Sequence, residues 1–149
     1  MADLRFCVDI AAPPNLVFAF FVPQRMAHWY GAEMNSHFEV QGGAPEFQTG
    51  QKVRITGDVR GREVSLTVVI VEYEWLRALE WRFQDSYGVR GMQRWEIEPC
   101  GAGTRLTMQD RYDMPGRWGR IADWMLTRHA VSRRDRDSLA RLQRLVGRT

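Results

Sequence analysis

Apolar and polar residues alternate at the start of the chain: Leu4, Phe6, Val8 and Ile10 are separated by Arg5, Cys7 and Asp9. A period of two is that of a half-buried strand. Ala11-Ala12-Pro13-Pro14-Asn15 stops this strand and starts a short helix over Asn15–Val22. Proline suits the first helical turn, where its missing N–H would be unpaired anyway. Pro23 ends that helix and opens a second through Gln24–Tyr30, with Gly31 as its C-cap. A weak strand is predicted over Met34–Val40. Stronger ones follow over Gln51–Val59, Glu63–Tyr73, Arg77–Gln84, Gly88–Glu98 and Thr104–Tyr112, each closed by a turn rich in Gly or Pro or by a break in alternation.

The last segment changes period. From Met114 to Val146 the apolar residues Trp118, Ile121, Met125, Leu139, Leu142 and Val146 recur at helical spacing, and Pro115 suits a helix start. Between Gly119 and Gly147 there is no Gly or Pro, so one long helix is predicted. Its stripe breaks in the middle. Spacing forward from Met125 gives His129, Ser132 and Arg136, all polar. A helix on a solid core should not break its stripe; a helix across a partly hollow core can.

Strands and helices are segregated along the chain, which places it in the α+β class. A curved antiparallel sheet of about seven strands, wrapped around the long helix, buries both apolar faces. With 149 residues and no linker, repeat or low-complexity stretch, residues 1–149 are expected to form a single domain.

Charge alters this picture little. The net charge is +3 and Lys52 is the only lysine. Nine arginines lie between Arg117 and Arg148 against Asp123, Asp135 and Asp137. The run Arg133-Arg134-Asp135-Arg136-Asp137 reads as a solvated, salt-bridged outer helix face. No nucleic-acid motif accompanies it, so no nucleic-acid partner is expected. Cys7 and Cys100 make no disulfide framework; Cys100, in a Pro-Cys-Gly-Ala-Gly turn, is expected to be an exposed thiol. The N-terminus lacks a basic n-region, and the longest apolar run, Leu16–Val22, is too short to span a bilayer, so a cytoplasmic location without membrane insertion is expected. His28, His37 and His129 are the only histidines and none has a ligand-spaced partner, so neither a metal nor another cofactor is expected.

Alternation selects the residues that face inward: Val53, Ile55, Leu79, Trp81, Phe83, Gln93, Trp95, Leu106, Met108, Asp110 and Tyr112 from strands, and Ile121, Met125, His129 and Ser132 from the helix. Asp110 is the informative one, because an unpaired inward carboxylate is costly. His129 is a candidate partner, and a His–Asp pair in an apolar cavity could act as a general acid–base unit. The competing reading is a helix histidine bonded to a strand carbonyl. Asp85, Tyr87 and Arg90 read as rim or solvent residues. His28 is expected to be exposed and Trp29 packed.

Several stretches carry a family resemblance: Ile10-Ala11-Ala12-Pro13-Pro14-Asn15-Leu16-Val17-Phe18, Met26-Ala27-His28-Trp29-Tyr30, Val71-Glu72-Tyr73 ahead of Leu79-Glu80-Trp81, and Gly103-Thr104-Arg105-Leu106-Thr107 leading to Tyr112-Asp113-Met114-Pro115-Gly116. In this order and spacing the chain resembles the START-like (SRPBCC) superfamily with its helix-grip fold, and within it the polyketide cyclase/dehydrase-like proteins. The chain departs at Glu74-Trp75-Leu76, where such proteins often have a proline-rich turn. The resemblance implies a deep, mainly apolar cavity between sheet and C-terminal helix. It hosts binders, transporters and enzymes alike.

Three functions are therefore weighed. The leading expectation is binding of a small hydrophobic, aromatic or lipid-like ligand. Trp81, Phe83, Gln93, Trp95, Met108, Tyr112, Met125 and Ser132 would line the site. The second is a cyclase/dehydratase-type enzyme using Asp110 and His129. The third is a co-chaperone-like interaction module using the arginine-rich helix. A homodimer is left open.

Overall fold

Turn-separated alternation along the middle of the chain becomes a meander. The computed structural model describes residues 2–59, 61–113 and 121–147, with side chains described throughout except at 33, 59 and 121–129. In order, the elements are β1 (Ala2–Ile10), α1 (Pro14–Phe18), α2 (Pro23–Met26), β2 (His37–Val40), β3 (Lys52–Val59), β4 (Arg62–Glu74), β5 (Ala78–Asp85), β6 (Arg90–Cys100), β7 (Gly103–Asp113) and α3 (Ile121–Val146). The seven strands form one sheet in the order β1-β7-β6-β5-β4-β3-β2. Every pairing is antiparallel. The first and last strands thus lie side by side, and the fold is an α+β helix-grip fold: an open curved sheet with a C-terminal helix.

Alternation sets the two faces. Val53, Ile55, Leu66, Val68, Ile70, Leu79, Trp81, Trp95, Leu106 and Met108 are buried on the concave side. Their neighbours Lys52, Arg54, Thr67, Val69, Arg82 and Gln84 face solvent. The β4–β5 register slips between Ile70 and Glu72, and the extra residue, Val71, bends the strand as a bulge does. Gly91 is required by a close approach: a Cβ there would lie 1.9 Å from the Arg111 carbonyl oxygen on β7.

The two short helices end at Phe18 and Met26, earlier than the predicted Val22 and Tyr30. The chain beyond each tightens into three-residue turns, with Phe20 N–H bonded to Val17 O, Phe21 to Phe18 and Trp29 to Met26. Tyr30 N–H in turn bonds Met26 O at 2.7 Å, four residues back, and Phe21, Trp29 and Tyr30 are all buried in the core. The Trp29 indole donates to Phe20 O at 3.0 Å and locks the pair of helices. The weak strand predicted from Met34 begins only at His37. Ala32–Met34 is a 3-10 turn, and Asn35 sits at φ 52°, a left-handed conformation that asparagine tolerates.

The departure at Glu74-Trp75-Leu76 is a tight turn closed by Arg77 N–H to Glu74 O at 3.0 Å, with Leu76 at φ 66°. Trp75 remains 59% exposed there and contacts Phe18 edge-on at 5.4 Å between ring centres. Of the cysteines, Cys7 is the exposed one and Cys100 is half-buried, contrary to expectation, because Cys100 ends β6 paired with Gly103. The helix start predicted at Pro115, and Trp118, fall outside the described residues. Among the described residues, no helix is long and apolar enough to cross a membrane.

Candidate functional site

Register places three ladder rows across the concave face of β5, β6 and β7. Leu79, Trp95 and Met108 make one row; Trp81, Gln93 and Asp110 the next; Phe83, Gly91 and Tyr112 the third. The outer two are largely apolar, and the polar residues share the middle one. Gln93 and Asp110 are both completely buried. Trp29, Tyr30, Trp81 and Trp95 pack around them in edge-to-face contacts, the closest being Trp81 to Trp95 at 4.8 Å. Such pairs add roughly 0.5–1.5 kcal/mol each beyond their buried area.

Gln93 is the hub of the row. Its side-chain carbonyl accepts from the Tyr30 hydroxyl at 2.8 Å and from the Trp81 indole N–H at 2.7 Å. Its amide donates to Asp110 Oδ2 at 3.1 Å. Two donors on the carbonyl also fix which way the amide points. Burial pushes the Tyr30 hydroxyl up to about 12, so it remains a donor at neutral pH.

The helix closes the row from above. Arg134 on α3 donates to Asp110 Oδ2 at 3.2 Å and to Asp135 Oδ1 at 3.2 Å, and lies over the Tyr30 ring at 5.9 Å. Its side chain is 22% exposed, whereas those of Asp110 and Asp135 are 0% and 1%. Ser138, one turn on, accepts the Gly31 N–H at 3.3 Å and ties α3 to the short helices.

One cation therefore faces two buried carboxyl groups. Taking charge from water is expensive, so such a cluster should retain a proton. Burial raises Asp135 well above the ordinary carboxylate range; Arg134 opposes the shift, while the charge of Asp110 and a side-chain hydrogen bond to it add to it. Asp110 Oδ1 and Asp135 Oδ2 lack any donor among the described residues. A proton held on Asp135 and donated to Asp110 satisfies that pair and leaves the cluster neutral: one arginine, one carboxylate, one carboxylic acid. A different buried group stays unmatched. The Trp95 indole N–H has no acceptor among the described residues, although Trp29 and Trp81 each have one.

The structure thus brings together Trp81, Gln93, Trp95, Met108 and Asp110 from the sequence-predicted set, all buried on the concave face. Tyr112 is buried in a smaller cluster with Ala2 and Leu4, against which Phe83 and Val131 pack. Ser132 is half-buried on α3. The side chains of Ile121, Met125 and His129 lie outside the described residues, and so does the Asp110–His129 pairing. The partners found for Asp110 are Gln93 and Arg134. His28 is exposed and Trp29 buried, as the pattern indicates.

Arg134 and Asp135 correct the reading of their charge run as an outer face. Arg136, where the spacing from Met125 breaks, is exposed over the Phe6 ring at 5.5 Å, as the outer-face reading of the charge run indicates. The inward stripe runs Asp135, Ser138, Leu139, Leu142 and Val146. Stepping back from Leu142 by seven residues, two helical turns, reaches Asp135, whereas stepping forward from Met125 by eleven reaches Arg136. The apolar C-terminal end was the better reference. No comparable signal marked Tyr30.

Comparison with known proteins bears on what such an interior is for. A comparison with proteins of curated function finds no match. Among solved structures, DynU16, a protein of the dynemicin biosynthetic locus, is similar at 22% identity and a TM-score of 0.66; the match covers 97% of this chain and 47% of that one, so the chain spans about half its length. A Rhodobacter sphaeroides protein matches at 20% identity and a TM-score of 0.74, covering 97% of this chain and 91% of that one. Ara h 8.0201 matches at 10% identity and a TM-score of 0.77, covering 99% of both. At these identities the likeness is one of fold. The sequence itself fits a family model over residues 1–147, and the chain belongs to the Polyketide cyclase / dehydrase and lipid transport family.

Proposed function

We propose that the chain binds a small, mainly apolar or aromatic ligand between the concave face of the sheet and α3. Trp81, Phe83, Met108 and Tyr112 would form walls, with Met125 and Ser132 contributed from the helix. Gln93 and the Asp110–Arg134 pair would give the polar end of the site.

The carrying observation is the Trp95 indole N–H, fully buried with no acceptor among the described residues. A buried unpaired donor costs about 1–3 kcal/mol. An oxygen acceptor on a ligand, such as a carbonyl, would offset that cost. The surrounding rings would bury the rest of the molecule, in the way of sites that are mostly apolar with a few orienting groups. Membership of a family described by polyketide cyclisation, dehydration and lipid transport supports the same reading.

Native mass spectrometry of protein purified without denaturation tests it. The expected spectrum contains a co-purified small molecule, released on unfolding, or a 1:1 adduct after incubation with an aromatic ketone. A bare chain that takes up no such compound contradicts the proposal.

A further inference from the structure

The outer face of the sheet carries a second polar feature, away from the interior site. A concavity of about 500 Å³ opens there across β4, β5 and β6. Arg82 and Arg90 line it together with the hydroxyls of Ser65, Thr67 and Ser86 and the amide of Gln84. Register brings two more cations alongside, since Lys52 pairs with Val69 and Arg54 with Thr67. All four basic side chains are exposed.

Their charge is left unmatched, in contrast with that of Arg94, Arg105 and Arg111 on the same face. Arg94 meets Glu72 at 2.6 Å and Glu80 at 2.9 Å, and Glu96 besides. Arg105 pairs with Asp9 and Arg111 with Asp3. Among the described residues, Lys52, Arg54, Arg82 and Arg90 have no acid within ion-pair distance. The acids nearby are Glu39, opposite Arg54, Asp113, opposite Arg90, and Asp85 in the wall. Asp85 already accepts the Tyr87 and Val89 N–H groups at 2.8 and 2.9 Å.

We infer that this concavity is a binding site for a phosphate-bearing ligand, either a free phosphorylated small molecule or a phosphorylated headgroup. Guanidinium groups hold phosphate oxygens through paired, charge-assisted hydrogen bonds. Hydroxyl and amide groups between them supply further donors. Four cations around one hollow suit more than a single negative charge, so a diphosphate is the apt probe. The enclosed volume favours a small group over an extended polyanion.

Calorimetric titration with inorganic pyrophosphate at about 0.15 M ionic strength tests this. Saturable 1:1 binding is expected. The pair Arg82→Gln with Arg90→Gln should weaken it by about tenfold or more, the loss of two charge-assisted contacts. Arg77→Gln with Arg105→Gln removes equal charge away from the hollow and should change it by less than about twofold, because at this salt charges beyond about 8 Å are largely screened. Equal weakening by both pairs, or no saturation, overturns the site. Sedimentation with phosphatidate vesicles, against phosphatidylcholine alone, separates the sources. Capture that depends on Arg82 and Arg90 and is reversed by pyrophosphate supports a headgroup. Pyrophosphate binding without capture supports a free ligand.

Discussion

Replacing Arg134 by methionine is expected to lower stability at neutral pH by about 3–5 kcal/mol, the cost of leaving a buried carboxylate without its cation. Methionine keeps most of the stem volume, so the loss reports charge and hydrogen bonds rather than a cavity. Asp110 Oδ2 would keep only the Gln93 amide, and Asp135 Oδ1 would lose its arginine donor. Arg134 opposes the raised proton affinity of Asp135, so its removal costs most where Asp135 would be charged, and the deficit should shrink as pH falls and Asp135 is neutral in both proteins. Urea unfolding of the two proteins near pH 7 and pH 4.5 measures this. An exposed ion pair contributes only about 0–1 kcal/mol. A loss of that size, the same at both pH values, would mean that Arg134 is solvated and the cluster is not a buried unit.

The second large effect concerns Asp135, and its sign follows from linkage. Its value in the folded chain lies well above that of an ordinary, solvated aspartate, with burial as the leading cause. Between the two values the folded state holds a proton that the unfolded state has released. Stability from this group is therefore complete below the unfolded value and is lost as pH rises through the folded one. The slope is at most about 1.4 kcal/mol per pH unit, one proton's worth. Asp135→Asn keeps a donor toward Asp110 but has no proton to lose. Its stability relative to the parent should rise steadily as pH is raised from 4.5 to 8.5, measured by urea midpoints across that range. Parallel profiles for the two proteins would show that Asp135 holds no extra proton.

The series of antiparallel strands, the α+β class and the inward strand residues were legible because a sheet converts a period of two directly into two faces. Asp110 stood out for the same reason: it interrupts an apolar alternation that also turns Gln93 inward. What was hidden came from elements with a different geometry. Arg134 and Asp135 sit inside a charge run whose composition resembles a solvated face. Only the phase of Leu139, Leu142 and Val146, followed backwards, turns Asp135 inward. Tyr30 was hidden differently. It lies past the end of α2, where the Trp29 and Tyr30 N–H groups both bond Met26 O, and its ring is buried in the core. The polar row is thus made by three elements, and the sheet alone could not foretell it.

Trp95, one row from Gln93 and Asp110, carries the buried N–H that meets no acceptor among the described residues, and a ligand can read it. The direct measurement is the affinity of 1-tetralone against tetralin, rings of one size that differ by a carbonyl oxygen, for the parent chain and for Trp95→Phe. The ketone should bind the parent about tenfold more tightly, one hydrogen bond's worth of about 1.4 kcal/mol. In Trp95→Phe the two affinities should become equal, with that for tetralin little changed. A preference for the ketone that survives the substitution, or no preference in the parent, would contradict the account.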